Sequence, residues 1–129
     1  MAPPVETFVP PDSPPLIGQY SHIVKVGDSI TIGGVGPVTN TGHLAGDDIY
    51  SQTVQILRSF DAMLKSVGSD LDHIVHIHVF LKEMADFDRM NEAYVHVIKT
   101  HRPARTVIGA RELPKPGFRV LMNLTAVTA

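Results

Sequence analysis

The chain contains no cysteine. Disulfides, thiolate nucleophiles and every cysteine-based zinc site are excluded at once. Long apolar runs are missing too: no stretch reaches the roughly eighteen residues that span a bilayer. No signal-peptide pattern opens the sequence, so a cytoplasmic location is the expectation. Neither sign of charge dominates. Eleven basic and 13 acidic side chains leave a formal net charge of −2. Nucleic acid is disfavoured as a partner on that balance, because phosphate binding calls for a basic face. What is present is ordinary for a globular protein: 129 residues, 43% of them apolar. That length buries about two-thirds of the unfolded surface around one core.

Proline is distributed unevenly. Pro3, Pro4, Pro10, Pro11, Pro14 and Pro15 crowd residues 1–15. Proline removes backbone donors and fixes φ, so this segment is expected to be an extended arm, neither a helix nor a central strand. Val5, Phe8 and Val9 give the arm an apolar side to lay on a surface, a partner subunit's included. Residues 16–129 form the domain proper.

A strand over His22–Val26, a turn at Gly27-Asp28 and a strand over Ser29–Gly34 predict a hairpin. The run Gly33-Gly34-Val35-Gly36-Pro37 is too glycine-rich for a strand interior. It either bends the chain or lets another group approach the backbone. It is not a phosphate loop, since no Lys-Ser/Thr pair follows. Asp47 and Asp48 are fitting N-caps for a long helix, with Tyr50, Val54, Leu57, Leu64 and Val67 at helical spacing. Ile56, Phe60 and Met63 widen its buried stripe, and Gly68 ends it. A second amphipathic helix runs through Ile98. Asp86 is its candidate cap, and its stripe is Phe87, Met90, Tyr94 and Val97. Asn91 lies near that stripe, where an unpartnered amide is costly, so a hydrogen bond to a nearby loop is expected.

His73–Leu81 reads as a strand. Alternation puts His73, Val75, Ile77, Val79 and Leu81 on one face and Ile74, His76, His78 and Phe80 on the other. His76 and His78 have the spacing of a His-x-His metal pair. Zinc needs further donors, which His43, His96 or His101 could supply only through distant folding. A partly buried or subunit-facing strand suits the pair better than a metal site. Strands over Arg105–Ala110 and Phe118–Thr128 close the order β-β-α-β-α-β-β. That pattern predicts an α+β domain with both helices on one face of a mixed sheet. The opposite face is left bare, and self-association is the expected cover.

Arg105 stands in Arg102-Pro103-Ala104-Arg105-Thr106, between the second helix and a strand. On spacing alone a surface arginine in a loop is the simpler reading. A guanidinium at a strand mouth is also a planar, permanently charged fork that can grip a carboxylate by two hydrogen bonds.

From Pro15 onward the chain resembles the Rid family, also called YjgF/YER057c/UK114. The likeness rests on Pro15-Leu16-Ile17-Gly18-Gln19-Tyr20-Ser21, Val24-Lys25-Val26-Gly27-Asp28, Gln52-Thr53 and Val79-Phe80-Leu81. It continues through Met84-Ala85-Asp86-Phe87, Asn91-Glu92-Ala93-Tyr94, Arg102-Pro103-Ala104-Arg105-Thr106 and Leu113-Pro114. The resemblance implies a chorismate-mutase-like fold, a homotrimer whose three sheets form a central barrel, and sites in clefts between subunits. It implies hydrolysis of reactive 2-enamine and 2-imine acids to 2-keto acids and ammonia, with no metal or organic cofactor.

By position, Arg105 matches the arginine that holds the substrate carboxylate. Tyr20 and Asn91 match polar residues at the cleft, and Gly34 a glycine whose backbone lies beside the ligand. Val107 stands where many members have cysteine. The last strand, Leu121-Met122-Asn123-Leu124-Thr125-Ala126, lacks the glutamate that orients water in members acting on small imines. Asn123 aligns at that place, and Thr125 shares its strand face. An amide can hold a water but is no general base. The resemblance therefore leaves three further functions to weigh. One is deamination of a larger enamine acid such as 2-aminomuconate. Another is a non-enzymatic module that binds carboxylate ligands. The third, ribonuclease activity, fits the acidic balance least.

Overall fold

The computed structural model describes residues 2–129. One six-stranded sheet carries two helices on a single face. In chain order the elements are β1 (Val5–Phe8), β2 (Ile23–Val26), β3 (Ser29–Val35), α1 (Ile49–Ser66), β4 (Ile74–Leu81), α2 (Phe87–Ile98), β5 (Ala104–Gly109) and β6 (Val120–Val127). The strands lie in the order β1-β2-β3-β6-β4-β5. Only β4 and β5 run parallel, joined by α2 as a crossover; every other neighbouring pair is antiparallel. The architecture is the expected α+β layer on a mixed sheet. Among the described residues no helix is long and apolar enough to cross a membrane.

Three local features depart from the expected pattern. The arm contributes a strand of its own: Val5–Phe8 pairs antiparallel with Ile23–Val26 at the sheet edge. These four residues lie between proline pairs and keep their N–H groups, and an edge position tolerates prolines at either end. The glycine-rich run does not end β3, which continues through Gly33 and Gly34 to Val35. A register shift against β6 between Ile32 and Val35 accommodates the two glycines. A second shift, between Ile74 and His76 of β4, reverses the alternation there. Ile74 is buried with Ile77, Val79 and Leu81, whereas Val75 faces solvent. His76, His78 and Phe80 keep the predicted common face, away from the helices.

The helices follow from their caps and stripes. Asp48 caps α1, accepting from the Ser51 N–H at 2.9 Å. Gly68, at φ +81°, lies just past the helix's other end and bonds back to the Lys65 carbonyl at 3.4 Å. Ile56, Leu57, Phe60, Met63 and Leu64 of α1 are fully buried against Ile30, Ile32, Ile77, Val79 and Met122 of the sheet. Asp86 occupies the N-cap position of α2 without capping it. Its carboxylate instead pairs with the Arg119 guanidinium at 3.3 Å, which ties the start of α2 to the loop before β6.

Candidate functional site

Arg105 pairs in register with the buried Ile77 of β4, so its side chain rises on the helix-covered face of β5. There α2 meets it. The guanidinium donates from Nη1 to Oδ1 of Asn91 at 2.7 Å, and its carbon stands 4.8 Å from the Tyr94 ring centre. Asn91 thus partners Arg105 on β5, which replaces the expected loop contact. The surrounding cavity has a volume of about 490 Å³, with Lys99, His101 and Arg102 on its wall and no carboxylate. None of the ion pairs among the described residues involves Arg105. A half-buried cation with a fixed orientation and no carboxylate beside it has the chemistry to receive an anion. The Tyr94 hydroxyl on the same wall is buried and has no hydrogen-bond partner among the described residues. Burial pushes its phenol up from the usual range, and the Arg105 charge opposes that rise.

A second cavity, of about 380 Å³, lies among β3, β6 and the segment before β2. Ile17, Tyr20, Gly34, Val35, Phe118 and Leu121 line it. Gly34 falls within the bulge of β3, where a residue out of register leaves backbone groups unpaired. A Cβ at Gly34 would sit 3.3 Å from Cδ2 of Leu121, so a side chain there would crowd this wall. The Tyr20 hydroxyl accepts from the Ile17 N–H at 3.3 Å. Phe118 is held from two directions. A Cβ at Gly36 would overlap its ring. On its other flank the buried Gln52 amide donates to the carbonyls of Gly46 and Gly117 and accepts from the Arg119 N–H at 2.8 Å.

The residues expected at one site fall into separate groups within a single chain. Arg105 and, beside it on β5, Val107 lie under α2, where Arg105 meets Asn91 of that helix. Tyr20 and Gly34 share the apolar cavity. Between β3 and β5 stand β6 and β4, so the two strands are three spacings apart, about 14 Å. Asn123 and Thr125 belong to neither cavity. Both alternate with the buried Met122, Leu124 and Ala126 and face away from the helices. His78 donates from Nδ1 to Oδ1 of Asn123 at 2.8 Å, and its ring stacks on His76 at 4.2 Å. The β6 residue that reaches the Tyr20 cavity is Leu121, two positions earlier on the same strand face. Leu121 carries no polar signal in the sequence, although strand parity alone puts it on the same face as Asn123. The described residues contain no cluster of three or more His, Asp or Glu side chains able to hold a metal ion.

The geometry defines a two-layer α+β domain with a cationic cavity under its crossover helix and an apolar cavity across the sheet. The chain belongs to the Endoribonuclease L-PSP family, the YjgF/RutC/Rid family, whose model matches residues 11–128. It is 34% identical over 123 residues to a RutC family protein of Pyrococcus horikoshii, covering 95% of each chain. It is 30% identical over 103 residues to the chloroplastic Reactive Intermediate Deaminase A of Arabidopsis thaliana, covering 79% of this chain and 55% of that one. The crystal structure of RidA from the Antarctic bacterium Psychrobacter sp. PAMC 21119 superposes with a TM-score of 0.89 at 28% identity, covering 95% and 98% of the two chains.

Proposed function

We propose that the protein is a deaminase of reactive 2-enamine and 2-imine acids, working as a homotrimer in the cytoplasm. The proposed catalytic domain is residues 16–129, with residues 1–15 as an arm. The observation that carries this reading is Arg105: a half-buried guanidinium, oriented by Asn91 and Tyr94, with no carboxylate partner. Its substrate carboxylate would bind by two parallel hydrogen bonds, which fixes the adjacent C2 carbon. A 2-enamine first takes a proton at C3 and gives one up from nitrogen to become the imine. Water then adds to C2, a proton moves to nitrogen, and the tetrahedral carbinolamine expels ammonia to leave the 2-keto acid. Holding the reactant in one orientation is the protein's main contribution. Water is the sole co-reactant, and the reaction needs no oxidant or reductant.

The two half-sites of one chain come together if each cleft is shared, with Arg105, Asn91 and Val107 from one subunit and Tyr20 and Gly34 from the next. The name of the Arabidopsis relative, Reactive Intermediate Deaminase A, supports a deaminase reading, and the Psychrobacter structure is that of a RidA. A binding module without turnover is the second reading, favoured by the lack of any Asp or Glu on either cavity wall. Nothing about the basic cavity suits RNA cleavage better. Its one imidazole, His101, is hydrogen-bonded through Nε2 to the Ile74 carbonyl at 2.8 Å, and the chain's acidic balance disfavours RNA.

The test is ammonia release from imines generated in situ, with wild type and Arg105→Ala compared at equal trimer content. The expected outcome is a loss of at least about a hundredfold in the enzyme-catalysed rate, since one oriented charge-assisted contact contributes on that scale. Carboxylate binding that depends on Arg105, without turnover, would make the protein a binding module.

A further inference from the structure

The apolar cavity is built for something other than a charged group. Its walls are mainly hydrocarbon and aromatic side chains, with Ser21 and His22 also in the lining, and no Asp, Glu, Lys or Arg lines it. Of its titratable residues, Tyr20 lies at the rim, 39% exposed, and the buried His22 is hydrogen-bonded to the Pro14 carbonyl. A carboxylate or ammonium entering there would lose water and meet no opposite charge, whereas a hydrocarbon group is favoured by the area it buries. The wall is pre-formed. Phe118 is pinned between Gly36 and the loop that Gln52 holds, and Leu121 stands against Gly34 on a strand paired on both sides. At about 380 Å³ the space exceeds what a methyl or ethyl group fills.

We propose that this cavity receives the substrate's side chain, and that the protein prefers 2-imino acids with branched aliphatic or aromatic side chains. Leu121 is the residue that sets this preference. For turnover the proposal rests on the deaminase reading. For binding it does not, because a 2-keto acid carries the same carboxylate and side chain. A second carboxylate, as in 2-aminomuconate, would meet Leu121 and Phe118 with no cation to pair. Imino acids of the preferred kind arise by two-electron oxidation of an apolar amino acid on a flavin or nicotinamide enzyme. The β-elimination of serine or threonine yields only small ones.

Calorimetric titration of the trimer with pyruvate, 4-methyl-2-oxopentanoate, phenylpyruvate and 2-oxoglutarate tests the proposal. Each buried methylene is worth about fourfold in affinity, so 4-methyl-2-oxopentanoate should bind at least about tenfold tighter than pyruvate. Phenylpyruvate should share that advantage, and 2-oxoglutarate should bind more weakly than either. Leu121→Glu should shrink the ratio between 4-methyl-2-oxopentanoate and pyruvate below about threefold by placing a charge in the apolar wall. Should that variant not fold, the wild-type ligand series decides alone. Equal affinity for pyruvate and 4-methyl-2-oxopentanoate, or tightest binding of 2-oxoglutarate, overturns the proposal. Ammonia release from the matching imines separates the two readings. Apolar selectivity without turnover upholds the cavity's role and removes the deaminase. Turnover without selectivity does the reverse.

Discussion

Arg105 combines a permanent charge with an orientation set by neighbours of two kinds. Asn91 fixes one guanidinium nitrogen through a hydrogen bond, and the Tyr94 ring supports its face through a cation–π contact. Tyr94 therefore acts through its ring, while its hydroxyl is buried without a partner. Tyr94→Phe keeps the ring and removes the orphan group, so it should leave stability unchanged or raise it by up to about 1 kcal/mol at neutral pH. The pH dependence has a definite sign. The folded-state phenol is pushed above its ordinary value of 10.0, chiefly by burial. Its contribution is intact below that value and is lost as pH rises, because the unfolded chain then ionises first. Denaturant titrations should show wild type losing stability relative to Tyr94→Phe above about pH 10; parallel curves would mean that Tyr94 ionises freely in the folded protein. At this scale Arg105 and Asn91 were legible in the sequence, one as a charge at a strand mouth and the other as an amide near an apolar stripe. Their pairing was not, because it depends on α2 crossing over β5. Leu121 stayed hidden for another reason: a search for polar chemistry passes over the hydrocarbon that shapes a cavity.

The elements owe their ends to single side chains. Asp48 accepts from the Ser51 N–H at the start of α1, and these backbone and side-chain bonds to Ser51 hold its carboxyl below the usual carboxylate range. Asp48→Ala should cost about 1 kcal/mol at neutral pH. A depressed folded pKa contributes stability above the unfolded value and loses it as pH falls. The gap between wild type and Asp48→Ala should therefore close in acid. Thermal melts from pH 7 to pH 3 measure it, and a gap that persists at the acid end would assign the loss to something other than the cap. Helix positions and the β2–β3 hairpin were legible because apolar periodicity and Gly27-Asp28 state them locally. The two β-bulges were not. Each depends on which strand lies opposite, and β6 comes about ninety residues after β3. The strand in the arm was hidden by the prolines around it, which exclude a central strand but permit an edge.

At the scale of the whole molecule, the sheet turns a helix-free face outward. Ile108 pairs with Phe80 across β4 and β5 on that face and is 49% exposed in the single chain. If three chains associate there, as proposed, a charge at Ile108 would be buried without a partner in every copy. Ile108→Glu should therefore sediment as monomer where wild type sediments as trimer, and it should lose activity with the trimer. A trimer that survives the change would move the interface elsewhere. The proposed association would join the two half-sites, since Arg105 lies beneath α2 and the apolar cavity lies across β6. Mixing two inactive variants examines this sharing most directly. Arg105→Ala removes the anion site, and Gly34→Leu fills the apolar cavity. Co-refolded in equal amounts, the two should restore activity to about a quarter of the wild-type sites, those where an intact Arg105 half faces an intact Gly34 half. A mixture as inactive as its components, with mixed trimers demonstrated by mass, would contradict a cleft shared between subunits.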